Sequence, residues 1–407
     1  MRKCTDKEWN SCRVEKLTCA GCYYASDNSN ERRKEMSRKL ASVQKVKAIK
    51  PIEGADRIEV VQVLNWNCVA KKGEYQVGDM VVYFEIDSLL PDIPAFEWLK
   101  GSSWSQKLNK YKISTHKFRN QISQGLVIPI DQLEIIYTQI HGSQISYPAS
   151  IFTPIEGEDL TEALDIEKYE PPVINGSLGE TLPHAWYVPK TDEERVQVCA
   201  ENVLPVYMKA EPNEWYASIK VDGSSCTAGL FDDAFLIGGR NHFFKDENMY
   251  KTTVNKYGDL ETKLKNYLAT TGKYLVFQGE LCGPGIQSNR MGLPEKEWLI
   301  FNVFESATGE DGTYTKCDFH RMAVICEKFG LRMVPIVPST DKFDFKSTDN
   351  VDELVDKLLA YVDNFKYRTY FGDAAPSQIA EGIVFRMNDM TNSFKVVSNK
   401  YLLKNGE

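Results

Sequence analysis

The stretch 217-ASIKVDGSSCTAGL-230 ends a β-like run on a lysine, Lys220, two residues ahead of Asp222-Gly223. An Asp-Gly pair suits a surface hairpin. A hairpin gives no reason for the lysine. A lysine amine acts as a nucleophile only in its neutral form. With a reference pKa near ~10.4, about one amine in a thousand is neutral at pH 7, a handicap of about 4 kcal/mol. Such a lysine needs a neighbouring cation or desolvation. Further stretches carry polar or aromatic residues at defined points: IGGRN around Arg240, FQGELCGPG around Glu280, LIFNVFE around Phe301, then EGIVFR and SFKVVSNKYLLK. Each alone reads as a strand edged with charge. FNVF alternates like a buried strand, so Phe301 is also readable as core, and Arg240 beside a Gly-Gly turn as a surface cation.

These stretches need elements to position them. With 407 residues the chain is long enough for two or three domains. Its 42% hydrophobic and 26% charged residues are ordinary for a folded protein. The net charge of −8 argues against a purely electrostatic coat on nucleic acid. Basic patches exist all the same. Residues 31–50 carry eight Lys/Arg, and QKLNKYKISTHKFRN at 106–120 carries five with no acid. A solvated face is the plain reading of either patch alone. The first residues lack the apolar segment of a signal peptide. No run of about 18 apolar residues offers a membrane span. A cytoplasmic protein is expected, its ten cysteines thiols or metal ligands rather than disulfides.

The organisation reads as follows. Residues 1–36 are a Cys-rich segment. Residues 37–135 are β-rich: RIEVVQVLNW, NCVAKKG, DMVVYFEID and GLVIPI alternate, split by turns such as Lys72-Gly73-Glu74. Residues 136–210, rich in Pro and aromatics, read as a linker and lead-in. Residues 211–407 mix strands and helices in an α+β pattern. Apolar positions every three or four residues predict a helix over 351–366.

Taken in order, the motifs from Lys220 to Lys395 resemble those of the covalent nucleotidyltransferase superfamily, which holds ATP-dependent RNA and DNA ligases and mRNA capping enzymes. Lys220-Val221-Asp222-Gly223 matches the nucleophile motif, and Arg240, Gly279-Glu280, Phe301-Asn302-Val303, Glu381-Gly382-Ile383-Val384 and Lys395 match those that follow. The resemblance spans Tyr216 to Leu403. It implies a domain of antiparallel sheets with flanking helices. It implies Lys220 as nucleophile toward ATP, with Lys395 on the α-phosphate and Arg240 on ribose or substrate phosphate. It further implies Glu280 on the ribose and Phe301 stacked on adenine. Asp222, Glu280 and Glu381 would attend a Mg²⁺ or Mn²⁺ ion through water. Two departures stand out. Val397 occupies a position where many members have a second lysine, and Ile219 one where related ligases often have Glu.

The chain stops 12 residues after Lys395, leaving no room for the C-terminal OB domain of DNA ligases and capping enzymes. That points to the RNA ligase 2-like side. The N-terminal β-rich part is similar to the OB-type module preceding the catalytic domain in the RNA ligase 5 branch. It is also similar to the tRNA-binding OB module of some synthetases. The resemblance therefore implies an OB-type β-barrel that binds single strands or duplex ends. Lys112, Lys117 and Arg119 are its expected contacts to nucleic acid. The expected function is an ATP-dependent RNA ligase acting on RNA ends or a nicked duplex with a 3′-OH RNA strand, in RNA repair. Rivals are a DNA ligase, a GTP-using capping enzyme, or a non-catalytic OB protein. Cys4, Cys12, Cys19 and Cys22 suit a Zn²⁺ knuckle at the 19-CAGC-22 spacing, or a reduced thiol cluster.

Overall fold

The computed structural model describes residues 38–142, 151, 153–170, 181–183, 191–231, 234–307, 314–372 and 378–405. The cysteine segment, with Cys4, Cys12, Cys19 and Cys22, lies outside them. No helix among the described residues is long and apolar enough to cross a membrane.

The alternating N-terminal stretches form strands β1 (Ala41–Pro51), β2 (Ile58–Val63), β3 (Trp66–Lys71) and β4 (Met80–Phe84). Three short strands follow: β5 (Ser88–Leu90), β6 (Trp104–Ser105) and β7 (Lys110–Lys112). β8 (Thr115–Phe118) and β9 (Gln121–Gln124) pair only with each other, and β10 (Leu126–Pro129) returns to β4. The main sheet runs β10-β4-β1-β2-β3, antiparallel throughout. β1 pairs with β4 along its first half and with β2 along its second, with a bulge between Val46 and Ala48. The extra residue bends the strand and curls the sheet into the expected OB fold. That residue, Lys47, reaches out of the sheet to Glu201 at 3.1 Å and Asp352 at 2.5 Å.

The described parts of 136–210, the stretch read as a linker and lead-in, pack into both domains. Leu160, Leu164 and Ile166 are buried in the OB core, and β11 (Glu167–Lys168) pairs with β5. The helix Val196–Lys209 buries Val196, Cys199, Leu204 and Tyr207 in the second core. Its Pro205 interrupts the pattern that would have marked it as a helix.

The second domain carries β12 (Thr181–Pro183), β13 (Trp215–Lys220), β14 (Ser224–Phe231), β15 (Ala234–Gly238) and β16 (His242–Phe244). It continues with β17 (Lys273–Cys282), β18 (Glu297–Ala307), β19 (Thr315–Lys316), β20 (Gly382–Met387) and β21 (Ser393–Val397). A seven-stranded sheet runs β12-β16-β15-β14-β17-β18-β19, and β13-β20-β21 form a second. The pairings are antiparallel, as expected. The helix expected over 351–366 spans Val351–Val362, opened by Asn350, whose side chain accepts from the Glu353 amide. It buries Leu354, Val355, Leu358 and Val362. The C-terminal helix Asn399–Asn405 drives Tyr401 and Leu402 into the OB core, so the two domains share a buried seam.

Candidate active site

Lys220 is the last residue of β13, paired with Gly382 of β20. β13 is held on its other side as well: Ile219 N donates to Pro335 O and Val337 N to Ala217 O. A strand bonded on both edges leaves little freedom at its end. The buried Tyr367 fixes that end further. Its hydroxyl donates to Lys220 O at 3.1 Å and accepts from Glu381 N at 3.1 Å. One side chain thus ties the main chains of Lys220 and Glu381 together.

The Lys220 amine lies 2.6 Å from Glu381 Oε1, with 29% of the side chain still open to solvent. Burial alone would push this amine toward its neutral form. Glu381 and Glu280 overcome that and hold its pKa above the ordinary lysine range. Without ligands, then, the neighbours of Lys220 favour its charged form. Glu280, on β17, is pushed up to about 8, first by burial and then by the charges of Glu381 and Asp222, with Lys220 opposing. Glu381 is raised as well, chiefly by burial. Asp222 is held by Arg290, Nε to Oδ2 at 2.6 Å. Among the described residues, no three acidic, His or Cys side chains form a closed metal cage. A crowded group of carboxylates facing one ammonium suits a cation that keeps most of its waters.

Glycine lets the strands come this close. A Cβ on Gly223 would sit 2.4 Å from Leu281 O and 2.8 Å from Glu280 Cγ, and one on Gly382 would sit 2.2 Å from Val396 O. Gly223→Ala is therefore expected to force β14 away from β17. It should cost about 2–3 kcal/mol of stability and disturb Glu280. Thermal melting and activity measured together would check both effects.

Phe301 lies in a bulge. Gln278 faces Asn302 and Gly279 faces Ile300, which leaves Phe301 as the extra residue of β18. Bulges re-aim side chains. Phe301 packs partly against the second core and stays half-buried. A polar network stands behind the bulge. Thr191 Oγ1 donates to Gln278 Oε1 at 2.8 Å, and the fully buried Asn302 donates to both.

Lys395 projects from β21. Its amine meets Asp192 Oδ1 at 2.5 Å. The same carboxylate pairs with Arg240 at 3.2 Å and Lys168 at 3.4 Å. Burial would raise the Asp192 pKa, but Lys395, Lys168 and Arg240 hold it well below the ordinary range. Lys395 is pushed down to about 8 by burial, with Asp192 resisting. Three cations thus converge on one carboxylate, and two of them are residues the motifs assigned to the nucleotide. Asp192, Lys168, Arg290 and Tyr367 escaped the sequence reading. They are single polar residues in stretches without period, and their partners lie far along the chain.

Arg195 links this cluster to the OB domain. It bonds Asp87 at 3.2 Å and lies 5.9 Å from the centre of the Trp66 ring. Lys117 and Arg119 stand exposed at the β8–β9 turn. Lys112 turns elsewhere, its amine 3.8 Å from the centre of the Tyr169 ring.

Comparisons with known proteins agree with this geometry. A family model described as RNA ligase matches residues 213–402, and one described as an OB-fold domain matches residues 40–130. No curated protein matches. Among solved structures, the chain is similar to Naegleria gruberi RNA ligase with PPi, at 28% identity. That match covers 91% of this chain and 99% of that one, with a TM-score of 0.71. Mutants of the same ligase match at 28% identity as well. One, with ATP and Mn, has a TM-score of 0.70 over 90% of this chain and 97% of that one. Another, with AMP and Mn, has a TM-score of 0.69 over 90% and 98%. Residues 213–402 thus form an RNA ligase domain, with an OB-fold domain ahead of it at residues 40–130, in a chain similar throughout to a solved RNA ligase.

Proposed function

We propose that the chain uses ATP to join a 3′-OH end to a 5′-phosphate end of RNA, in broken strands or nicked duplexes, as an RNA repair enzyme. The observation that carries this is the Lys220 amine, 2.6 Å from Glu381 at the end of a doubly held strand, with Lys395 and Arg240 gathered on one carboxylate. Lys220 Nζ attacks the α-phosphorus of ATP. An N–P bond forms, the bond to pyrophosphate breaks, and the amine loses a proton. The AMP then passes to a 5′-phosphate, making a 5′-5′ pyrophosphate and freeing Lys220. A 3′-OH attacks that activated phosphate and expels AMP.

In this scheme Lys395 and Arg240 meet phosphate and ribose, Glu280 the ribose and Phe301 the adenine. A phosphate replaces Asp192 as the counter-ion of the cations around it. Asp222, Glu280 and Glu381 would hold Mn²⁺ or Mg²⁺ through water. The ion supplies positive charge beside Lys220, which favours the neutral amine and offsets phosphate charge. Lys117 and Arg119 meet the strand backbone, with Lys112 on the same domain. The division we infer is a 37–135 OB module, a lead-in shared by both cores, and a 211–407 catalytic domain.

Intact mass after incubation with ATP and Mn²⁺ tests the reading. An AMP adduct is expected, and its absence from protein not already adenylylated would sink it. Asp192→Asn gives a second test. Asp192 supports the charge on Lys395, so its loss should drop the Lys395 pKa below about 8. Lysyl-AMP formation should then fall off at a lower pH than in the unaltered protein. An unchanged pH profile would separate Asp192 from Lys395.

A further inference from the structure

A cavity of about 310 Å³ lies where the OB domain meets the catalytic domain, apart from the Lys220 site. Six amide side chains line it: Asn65, Asn67, Asn120, Gln121, Gln124 and Asn399. Asp356 and Asp363 add two carboxylates, and Ile122, Leu359 and Ala360 add apolar surface. Two of the amides are incompletely bonded. The carbonyl oxygens of Asn67 and Asn399 are hidden from water and meet no donor. A buried acceptor without a donor is costly.

The chemistry of this lining selects a ligand. Each amide carries a donor and an acceptor side by side, the pattern that reads the edge of a nucleobase. The two carboxylates accept from base N–H groups and repel phosphate. A strand could therefore send a base inward, but not its backbone. The backbone has its own place beside the cavity. Asn120 and Gln121 belong to the β8–β9 hairpin, whose exposed Lys117 and Arg119 flank Phe118, itself 43% exposed. Cations alternating with an exposed aromatic are what a single strand needs to stack and be neutralised. The hairpin is anchored from below: Ser123 Oγ accepts from Val69 N at 2.9 Å, and Cys68 Sγ meets Gln124 O at 3.2 Å.

The cavity is also joined to the reaction centre. Asp363 Oδ1 accepts from Ser398 Oγ at 2.6 Å, and Ser398 N donates to Glu381 O at 2.9 Å. One residue thus separates the cavity wall from the main chain of Glu381, whose carboxylate pairs with Lys220.

We propose that this cavity takes an unstacked nucleobase of the RNA strand being joined, while Lys117, Phe118 and Arg119 hold the strand outside it. The inference rests on the reading of the chain as a ligase of RNA ends. The test uses the full chain and RNA substrates in which each nucleotide near the junction in turn lacks its base. Sealing is compared between the unaltered protein, an Asn120→Ala/Gln121→Ala double variant, and Asn399→Ala on a separate element. At one position, loss of the base should slow the unaltered protein about tenfold. At that position the variants, already slow on intact RNA, should lose little more. Uniform sensitivity along the strand, or the same tenfold loss in both variants, overturns the inference while sealing itself stands. Failure to seal any RNA, despite a lysyl-AMP adduct, overturns the RNA reading and this inference with it.

Discussion

Lys220→Ala should abolish lysyl-AMP formation, a loss of at least about ten-thousandfold, because no other amine can make the N–P bond from the end of β13. The protein should still fold. The main chain of residue 220 keeps its pairing with Gly382 and its bond from Tyr367. The carboxylates left without a cation have a way out, since Glu280 is already held near 8 and takes a proton at neutral pH. Lys220→Arg sharpens the test. It keeps a cation beside Glu381, yet a guanidinium does not deprotonate and cannot attack. Both variants should show no AMP adduct by intact mass. Both should still seal RNA that already carries a 5′-adenylyl group, because that step needs the 3′-OH and not the lysine. A variant that forms the adduct would move the nucleophile elsewhere. A variant that neither forms the adduct nor seals adenylylated RNA would point to damage beyond the amine, and melting would show it.

The direction of the Lys220 shift gives this step a pH dependence. Its pKa lies above the ordinary lysine range while Glu381 and Glu280 face it. The neutral, attacking fraction therefore grows as pH rises across the neutral range, up to tenfold per unit while no cation relieves the carboxylates. A divalent ion opposes those carboxylates and flattens the rise.

What could be read from the sequence divides along physical lines. β2, β3, β4 and β10 were legible as short β-branched and aromatic runs set between turns; β3 alternates, whereas β2 and β4 are buried on both faces. The β8–β9 hairpin was not, since THKFRNQISQ is polar on both faces and holds its shape through bonds to β3. Lys220, Glu280, Glu381 and Lys395 were legible only as an ordered set of motifs. The sheets then bring them together, from β13, β17, the residue just ahead of β20, and the neighbouring β21. Asp192 was hidden in TDEER, where acids ahead of a helix already have a reason to exist in the helix dipole. Nothing local says that it meets Lys395, 203 residues away. Arg290 on Asp222 is hidden in the same way. The electrostatic direction at Lys220 was illegible too. A motif names the carboxylates but not which of them touches the amine.

That contact is the subject of the second large effect, from Glu381→Ala. Glu381 acts on Lys220 in two opposed ways. As an ion-pair partner it holds the amine protonated, which hinders attack. As part of the carboxylate group it would hold the cation that makes attack possible. Were it only a clamp, its removal would let burial lower the Lys220 pKa, and lysyl-AMP would form faster at neutral pH. The proposed role in cation binding predicts the reverse: a fall of about 10²–10³-fold, the scale seen when one group stabilising transition-state charge is lost. Higher pH should not restore the rate, because deprotonation is no longer what limits it, whereas higher Mn²⁺ should restore part. The substitution leaves the local frame intact, since Tyr367 and Ser398 bond to the main chain of residue 381 and not to its side chain. Single-turnover rates of adduct formation between pH 6.5 and 9, across a Mn²⁺ titration, separate the two roles. A variant faster than the unaltered protein at neutral pH would reduce Glu381 to a clamp and leave cation binding to Asp222 and Glu280.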